Sequence, residues 1–234
     1  MEIVPLHSWE VDFDRAREIQ ANLRRKLVFE DVVPFQNIRL IAAADVSFNR
    51  FGKVLYGAVV LMRFPELEVV EMYTEAAQVT FPYVPGYLSF REAPVILNIF
   101  RKINTIPQVL LCDGQGVAHP RGFGLASHLG MFLDIPTIGC AKSLLVGEYD
   151  RLGEERGAVA PLVYRGNVVG RAVRTRRGVK PVFVSVGHKI SLETATRVVL
   201  AASPRYRIPE PLRQAHQLVN EFRKENEKKK RTDR

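Results

Sequence analysis

The segment Leu110-Leu-Cys-Asp-Gly-Gln-Gly-Val-Ala-His-Pro-Arg121 joins an apolar run to an acid, two glycines and a histidine, with nothing bulky between. A continuous apolar run reads as a strand buried on both faces, and ligands of open α/β sheets collect beyond the carboxyl ends of such strands. Asp113 would stand at that end. Gly114 and Gly116 would let the backbone approach a substrate closely, although an Asp-Gly turn closing a strand explains the same residues. A second acid, Asp45, interrupts Leu40-Ile-Ala-Ala-Ala-Asp-Val46, where an ionised carboxylate is costly unless it is paired or binds a metal. A salt bridge to an arginine is the other reading. Carboxylates on adjacent strands repel unless a cation lies between them. Oxygen-rich sites suit Mg²⁺ or Mn²⁺, and the absence of a Cys/His cluster argues against zinc. Such cations polarise phosphoryl oxygens, activate water and stabilise leaving oxygens.

Glu92 is the natural third carboxylate, at the start of a predicted helix. Ser89-Phe-Arg-Glu92 also fits a capping box, in which Glu92 would serve only the helix end, and spacing leaves both readings standing. His216, in Arg213-Gln-Ala-His216, could bring an imidazole near the acids, or could simply pack on its helix. His119 follows the glycines closely enough to touch substrate, whereas His128 reads as a capping or packing residue. Lys142 follows Ile138-Gly-Cys-Ala and could give a point charge to a phosphate; an exposed lysine is the plainer alternative. Tyr83, stiffened between two prolines, suits a wedge or stacking platform for a displaced base, with core packing equally open.

These residues need a scaffold. Apolar positions at Phe13, Ala16, Ile19, Leu23 and Leu27 predict a surface helix from Asp12 to about Leu27. Three β-rich runs, Leu40 to Phe48, Val54 to Phe64 and Leu67 to Val79, are divided by the breaks Phe51-Gly52 and Phe64-Pro65-Glu66 and read as an antiparallel meander. After the prolines of Phe81-Pro-Tyr-Val-Pro-Gly86 comes a helix from about Leu88 to Ile103, then the strand Val109 to Cys112. A helix near Leu125 to Leu133, a strand Thr137 to Cys140, a hairpin of Val159 to Tyr164 with Val168 to Arg174, a strand Val182 to Val186 and helices Leu192 to Ala202 and Glu210 to about Asn226 complete the chain. The result is an α/β fold: a mixed sheet, antiparallel meander plus parallel strands, flanked by helices. A crossover after the meander returns the fourth strand beside the first, in parallel, and so sets Asp45 beside Asp113.

The 234 residues, 47% of them hydrophobic, suffice for one large domain, taken as residues 1–222 and followed by a basic, flexible tail at 223–234. The net charge of +9 favours a polyanionic partner, and the tail supplies four of those charges. Basic residues between elements, Arg174, Arg176, Arg177 and Lys180, then Arg205 and Arg207, are placed to meet phosphates, or are solvated surface. Two cysteines, Cys112 and Cys140, show no metal or redox spacing and read as reduced, buried thiols of a cytoplasmic protein. An acid at Glu2, with no basic flank and apolar core after it, and no apolar stretch of spanning length, give no sign of export or a membrane.

Together, Ala43-Ala-Asp-Val-Ser-Phe48, Pro82-Tyr-Val-Pro-Gly-Tyr-Leu-Ser-Phe-Arg-Glu92, Asp113-Gly-Gln-Gly-Val-Ala-His-Pro-Arg121, Pro136-Thr-Ile-Gly-Cys-Ala-Lys-Ser143, Val184-Ser-Val-Gly-His188 and Arg207-Ile-Pro-Glu-Pro-Leu-Arg-Gln-Ala-His216 resemble the blocks of endonuclease V, in family order. The resemblance implies a ribonuclease H-like fold and Mg²⁺-dependent hydrolysis, with Mn²⁺ able to substitute. It implies a monomer acting on DNA that contains deoxyinosine, nicked one nucleotide beyond the hypoxanthine on its 3′ side to leave 3′-hydroxyl and 5′-phosphate ends, for DNA repair; inosine-containing RNA is a further substrate class. By the same resemblance Asp45, Glu92 and Asp113 are metal-binding acids, Lys142 lies near the scissile phosphate and His216 belongs to the catalytic set. Pro82, Tyr83, Val84 and Pro85 form a strand-separating wedge. Gly86, Leu88, Gly114, Gly139, Ala141 and Leu145 form the base pocket. His119, Arg174, Arg176 and Lys180 are expected nucleic-acid contacts. Where some members carry an acid before the fourth strand, this chain has Gln108, which receives no role. Two alternatives stand: an inosine-specific ribonuclease or other nuclease of the same architecture, and a nucleic-acid-binding protein without catalysis.

Overall fold

The structure, a computed structural model, describes residues 3, 5–49 and 52–232. Glu2, the Phe51 half of the first break and Arg234 lie outside the described residues. Strands β1 (Leu40–Phe48), β2 (Val54–Arg63) and β3 (Val69–Gln78) form the expected antiparallel meander. Helix α2 (Leu88–Phe100) crosses over, and β4 (Val109–Cys112) returns parallel to β1 with Ala44 opposite Cys112. The next residue on each chain is an acid, Asp45 and Asp113. Helix α3 (Leu125–Leu133) leads to β5 (Thr137–Ala141), parallel to β4. Strand β8 (Val182–His188) pairs antiparallel with β5, and the hairpin of β6 (Val159–Tyr164) and β7 (Asn167–Val173) extends the sheet beyond it. The eight strands lie in the order β3-β2-β1-β4-β5-β8-β7-β6, a mixed ribonuclease H-like sheet.

Strand alternation decides what each face meets. Ala42, Ala44, Leu110 and Cys112 pack with Val95, Ile96 and Phe100 of α2 and Leu129 of α3. Ile41, Ala43, Val109 and Leu111 pack on the other face with Ala195 and Val198 of α4 (Leu192–Ala201) and Leu212 and Ala215 of α5 (Glu210–Thr232). Each fully buried large apolar side chain contributes ~1.5–3 kcal/mol, so both faces are strongly held. Asp45 shares the parity of Ile41 and Ala43, and so faces α5, where His216 follows the buried Ala215. Helix α1 (Phe13–Arg24) begins at Asp12, whose carboxylate accepts from Arg15 N–H at 2.8 Å, and it buries Ala16, Ile19, Gln20 and Leu23.

The tail expected at 223–234 is helical as far as it is described. Helix α5 continues through Thr232, past the expected end near Asn226. Arg223 pairs with Glu227 one turn on and donates to Asn49 at 2.6 Å, fastening this part of the helix to the end of β1. Its Lys, Arg and Glu residues are good helix formers, and the i,i+4 pairing favours the helix further.

Candidate metal and nucleic-acid site

Three elements deliver three carboxylates to the carboxyl ends of β1 and β4. Asp45 is 9% exposed and Glu92 7%, while Asp113 is half-buried just past β4. Oxygens of Asp45 and Asp113 and a ring nitrogen of His216 lie within 4.8 Å of one another. His216 Nδ1 is 2.7 Å from Asp45 Oδ2, and Val46 N–H donates to Asp45 Oδ1 at 2.8 Å. Asn220, one turn beyond His216, approaches His216 Nε2 at 3.2 Å. Donation from that amide leaves the ring proton on Nδ1, directed at Asp45. Lys142 forms an ion pair with Asp113.

Burial raises the pKa of Asp45, and Asp113 raises it further, against the opposing pull of His216 and Lys142. Glu92 is pushed up to about 8, first by burial and then by Asp45 and Asp113. No hydrogen bond reaches its carboxyl among the described residues. Two buried acids whose ionisation Asp113 opposes, with hard oxygen donors on all three, fit a divalent cation.

The capping box does not form. The residue before the first turn of α2 is Tyr87, with no side-chain cap, and Ser89 Oγ instead bonds His128 Nδ1 at 2.9 Å. This leaves Glu92 free to face the acids. His128 is fully buried, with His7 on its other nitrogen at 2.7 Å, in a ring cluster with Trp9, Phe90 and Phe132. Packing is thus its observed role.

Beside the acids opens a cleft of about 470 Å³, lined by Asp113 and Lys142 together with Tyr83, Val84, Pro85, Gly86, Leu88, Gly114, Ala141 and Leu145. Tyr83 is 62% exposed, which excludes the core-packing reading, and its ring stands 6.1 Å from that of Phe48. Pro82 is also exposed. Gly139 is outside the lining. A Cβ there would come within 2.3 Å of Gly116 N, so this glycine lets the Asp113–Gly116 loop lie on β5. His119 also lines the cleft but is only 5% exposed, and its Nδ1 accepts from Arg121 N–H at 3.2 Å.

The expected basic contacts divide. Arg174 is committed to the carbonyls of Gly153 and Val179, which shapes its own loop, whereas Arg176 and Lys180 are exposed. Arg207 donates to the carbonyls of Lys142 at 2.5 Å, Lys180 at 2.9 Å and Pro181 at 2.8 Å, and so braces the strand end that carries Lys142. Its place in a basic cluster gave no sign of that. Asn220, which orients His216, was missed as well; its i+4 spacing from His216 was the available signal. Gln108 Oε1 accepts from Arg39 N–H at 2.6 Å and Leu40 N–H at 3.1 Å, so this residue tethers the start of β1.

The family model described as Endonuclease V matches residues 21–217. An endonuclease V of Nostoc sp. is 46% identical over 220 residues, covering 94% of this chain and 99% of the relative. The crystal structure of the endonuclease V of Streptomyces avermitilis superposes with a TM-score of 0.90 at 42% identity, over 95% of this chain and 97% of that one. An endonuclease V of Ciona intestinalis, crystallised with a 24mer DNA containing an inosine followed by a ribo-adenosine, superposes with a TM-score of 0.81 at 30% identity, over 91% of this chain and 98% of that one.

Proposed function

The chain belongs to the endonuclease V family and is a phosphodiester-hydrolysing nuclease, and on that premise we propose that it recognises inosine in DNA and, with Mg²⁺, nicks the strand one nucleotide beyond that base on its 3′ side, for DNA repair. The observation that carries this reading is the continuity of cleft and acids. Asp113 and Lys142 line the same cleft as Gly86, Leu88, Gly114, Ala141 and Leu145, so a base held there lies beside the hydrolytic groups. Its volume is in the range of small-ligand sites.

Asp45, Glu92 and Asp113 would hold the cation. When bound, it supplies Lewis-acid polarisation of the phosphate and lowers the pKa of the attacking water. Lys142 contributes a point charge to the phosphate beside Asp113. His216 holds its Nδ1 proton toward Asp45 and keeps that carboxylate oriented. Tyr83, with Pro82, Val84 and Pro85, stands exposed at the cleft mouth as a wedge filling the space a displaced base leaves. Flipping costs least where pairing is weak, which adds selectivity for the deaminated base. Arg176 and Lys180 meet phosphates, and His119 supports the cleft from within. The functional unit is a single domain, and the protein is a cytoplasmic monomer; its cysteines are free and buried. No helix among the described residues is long and apolar enough to cross a membrane.

The test is a gel assay of purified protein with Mg²⁺ on end-labelled DNA and RNA strands carrying one inosine, or guanosine in its place. A metal-dependent nick one nucleotide 3′ of inosine, giving 5′-phosphate ends, is the expected result. Cleavage of RNA alone would move the substrate to inosine-bearing transcripts. Binding without any nick would remove the catalytic assignment.

A further inference from the structure

Gln20 is a polar side chain fully buried on the apolar face of α1, and its whole amide is engaged outside that helix. Nε2 donates to the carbonyls of Gly86 at 3.1 Å and Phe123 at 3.2 Å, and Oε1 accepts from Arg121 Nε at 2.5 Å. Arg121 Nη2 donates to the same Gly86 carbonyl, with its guanidinium 4.1 Å from the centre of the Tyr87 ring. One carbonyl therefore meets two side-chain donors, one for each of its lone pairs.

That carbonyl belongs to a turn at the cleft wall. Tyr87 N–H bonds Val84 O at 3.0 Å, with Pro85 and Gly86 between and Gly86 at φ 82°, the residue pattern of a type II turn. A Cβ at Gly86 would lie 2.7 Å from Arg121 Nη2, so glycine is required both for the backbone angle and for the clamp. Val84, Pro85 and Gly86 line the cleft, whereas Gln20 and Arg121 do not. The family match begins at residue 21, one position after Gln20.

We propose that Gln20 and Arg121 are positioning residues for base recognition, clamping the Gly86 carbonyl so that the Val84–Tyr87 turn stands at a fixed separation from Gly114 and Ala141 across the cleft. The idea rests on the inosine reading and adds a specificity role for the N-terminal helix. A loose wall would still admit a base but would spend binding energy on ordering itself, and that cost falls on substrate binding more than on the hydrolytic step.

The test compares Gln20→Met, which keeps length and apolar packing but removes the hydrogen bonds, with Ile19→Ala, which loosens the packing of α1 without touching Gly86. On a single-inosine oligonucleotide Gln20→Met should raise KM about tenfold with kcat within about twofold, while Ile19→Ala leaves KM at the wild-type value despite a lower Tm. Should Gln20→Met fail to fold, Arg121→Lys, which keeps the charge and loses the fork, is read by the same comparison. An unchanged KM in the clamp variants, or an equal rise in Ile19→Ala, would overturn the clamp alone. A wild-type protein inactive on inosine would overturn the substrate reading and the clamp with it.

Discussion

His216 of α5 places Nδ1 2.7 Å from the Asp45 carboxylate of β1, across 171 positions of chain. Lys142, at the end of β5, pairs with Asp113 from the opposite side. The two acids are thereby each held by one side-chain donor while they repel each other, and Glu92 stands beside them with no donor among the described residues. This asymmetry sets the expected effects of substitution.

Asp113→Asn should lower cleavage of an inosine strand by about 10³-fold, the equivalent of the several kcal/mol that metal-assisted charge stabilisation supplies. Inosine binding should persist, because asparagine keeps the size and shape of the one cleft-lining side chain that changes. Nicking assays and gel shifts on the same preparation separate the two, and equal cleavage by the variant would remove Asp113 from the mechanism.

Glu92→Gln should stabilise the metal-free protein while abolishing metal-dependent activity. The Glu92 pKa is raised from 4.5 to about 8, so the folded chain holds a proton that the unfolded chain releases. That contribution is complete below the unfolded value and is lost as pH rises through about 8. Near pH 9 the amide should therefore gain roughly 1–2 kcal/mol over wild type in chelator. A variant less stable than wild type under those conditions would show that Glu92 is not under repulsion.

Tyr83→Ala should change stability by no more than about 0.5 kcal/mol, as expected of an exposed side chain. Cleavage of duplex inosine should fall about tenfold or more, matching the ~1–3 kcal/mol of a base stacked on an aromatic ring. Single-stranded inosine, which needs no wedge, should be cut almost as before. A large fall in Tm would instead assign the ring to packing.

Acid should weaken the cleft before it unfolds the sheet. Burial, then Arg121, lowers the pKa of His119 from 6.5 to about 4. Its neutral form contributes stability that is present above the unfolded value and is lost as pH falls through about 4, about 3 kcal/mol in all. Urea unfolding between about pH 6.5 and 4 should show this slope, and His119→Gln should reduce it, leaving the part due to the other imidazoles whose pKa burial lowers, His7, His128 and His188. An identical slope in the variant would mean that the ring is not kept neutral by the fold.

The pairing of β1 with β4 was legible because unbroken apolar runs mark strands covered on both faces and a crossover after a meander has few destinations. Asp45 and Asp113 followed from that pairing. The capping alternative at Ser89 stayed open because that pattern is local, whereas its hydroxyl is captured by His128 from another helix. The resemblance implies a base-pocket place for Gly139, and what the sequence could not show is that the loop of Gly116 lies directly against this glycine. Arg207 and Gln20 were unreadable for a related reason: each is committed to carbonyls of distant segments, and no spacing along the chain encodes such contacts. Seven charged residues from Arg223 to Lys230 suggested a frayed end, yet their helix propensity carried α5 onward.

Because the imidazole that meets Asp45 sits on α5, the proposed metal site receives that side chain later in synthesis than its three acids. A nascent chain that has emerged only through β8 already carries Asp45, Glu92, Asp113 and Lys142, with the sheet face meant for Leu212 and Ala215 still bare. The helix that brings Leu212 and Ala215 to that face also carries His216, so a chain shortened before α5 lacks both.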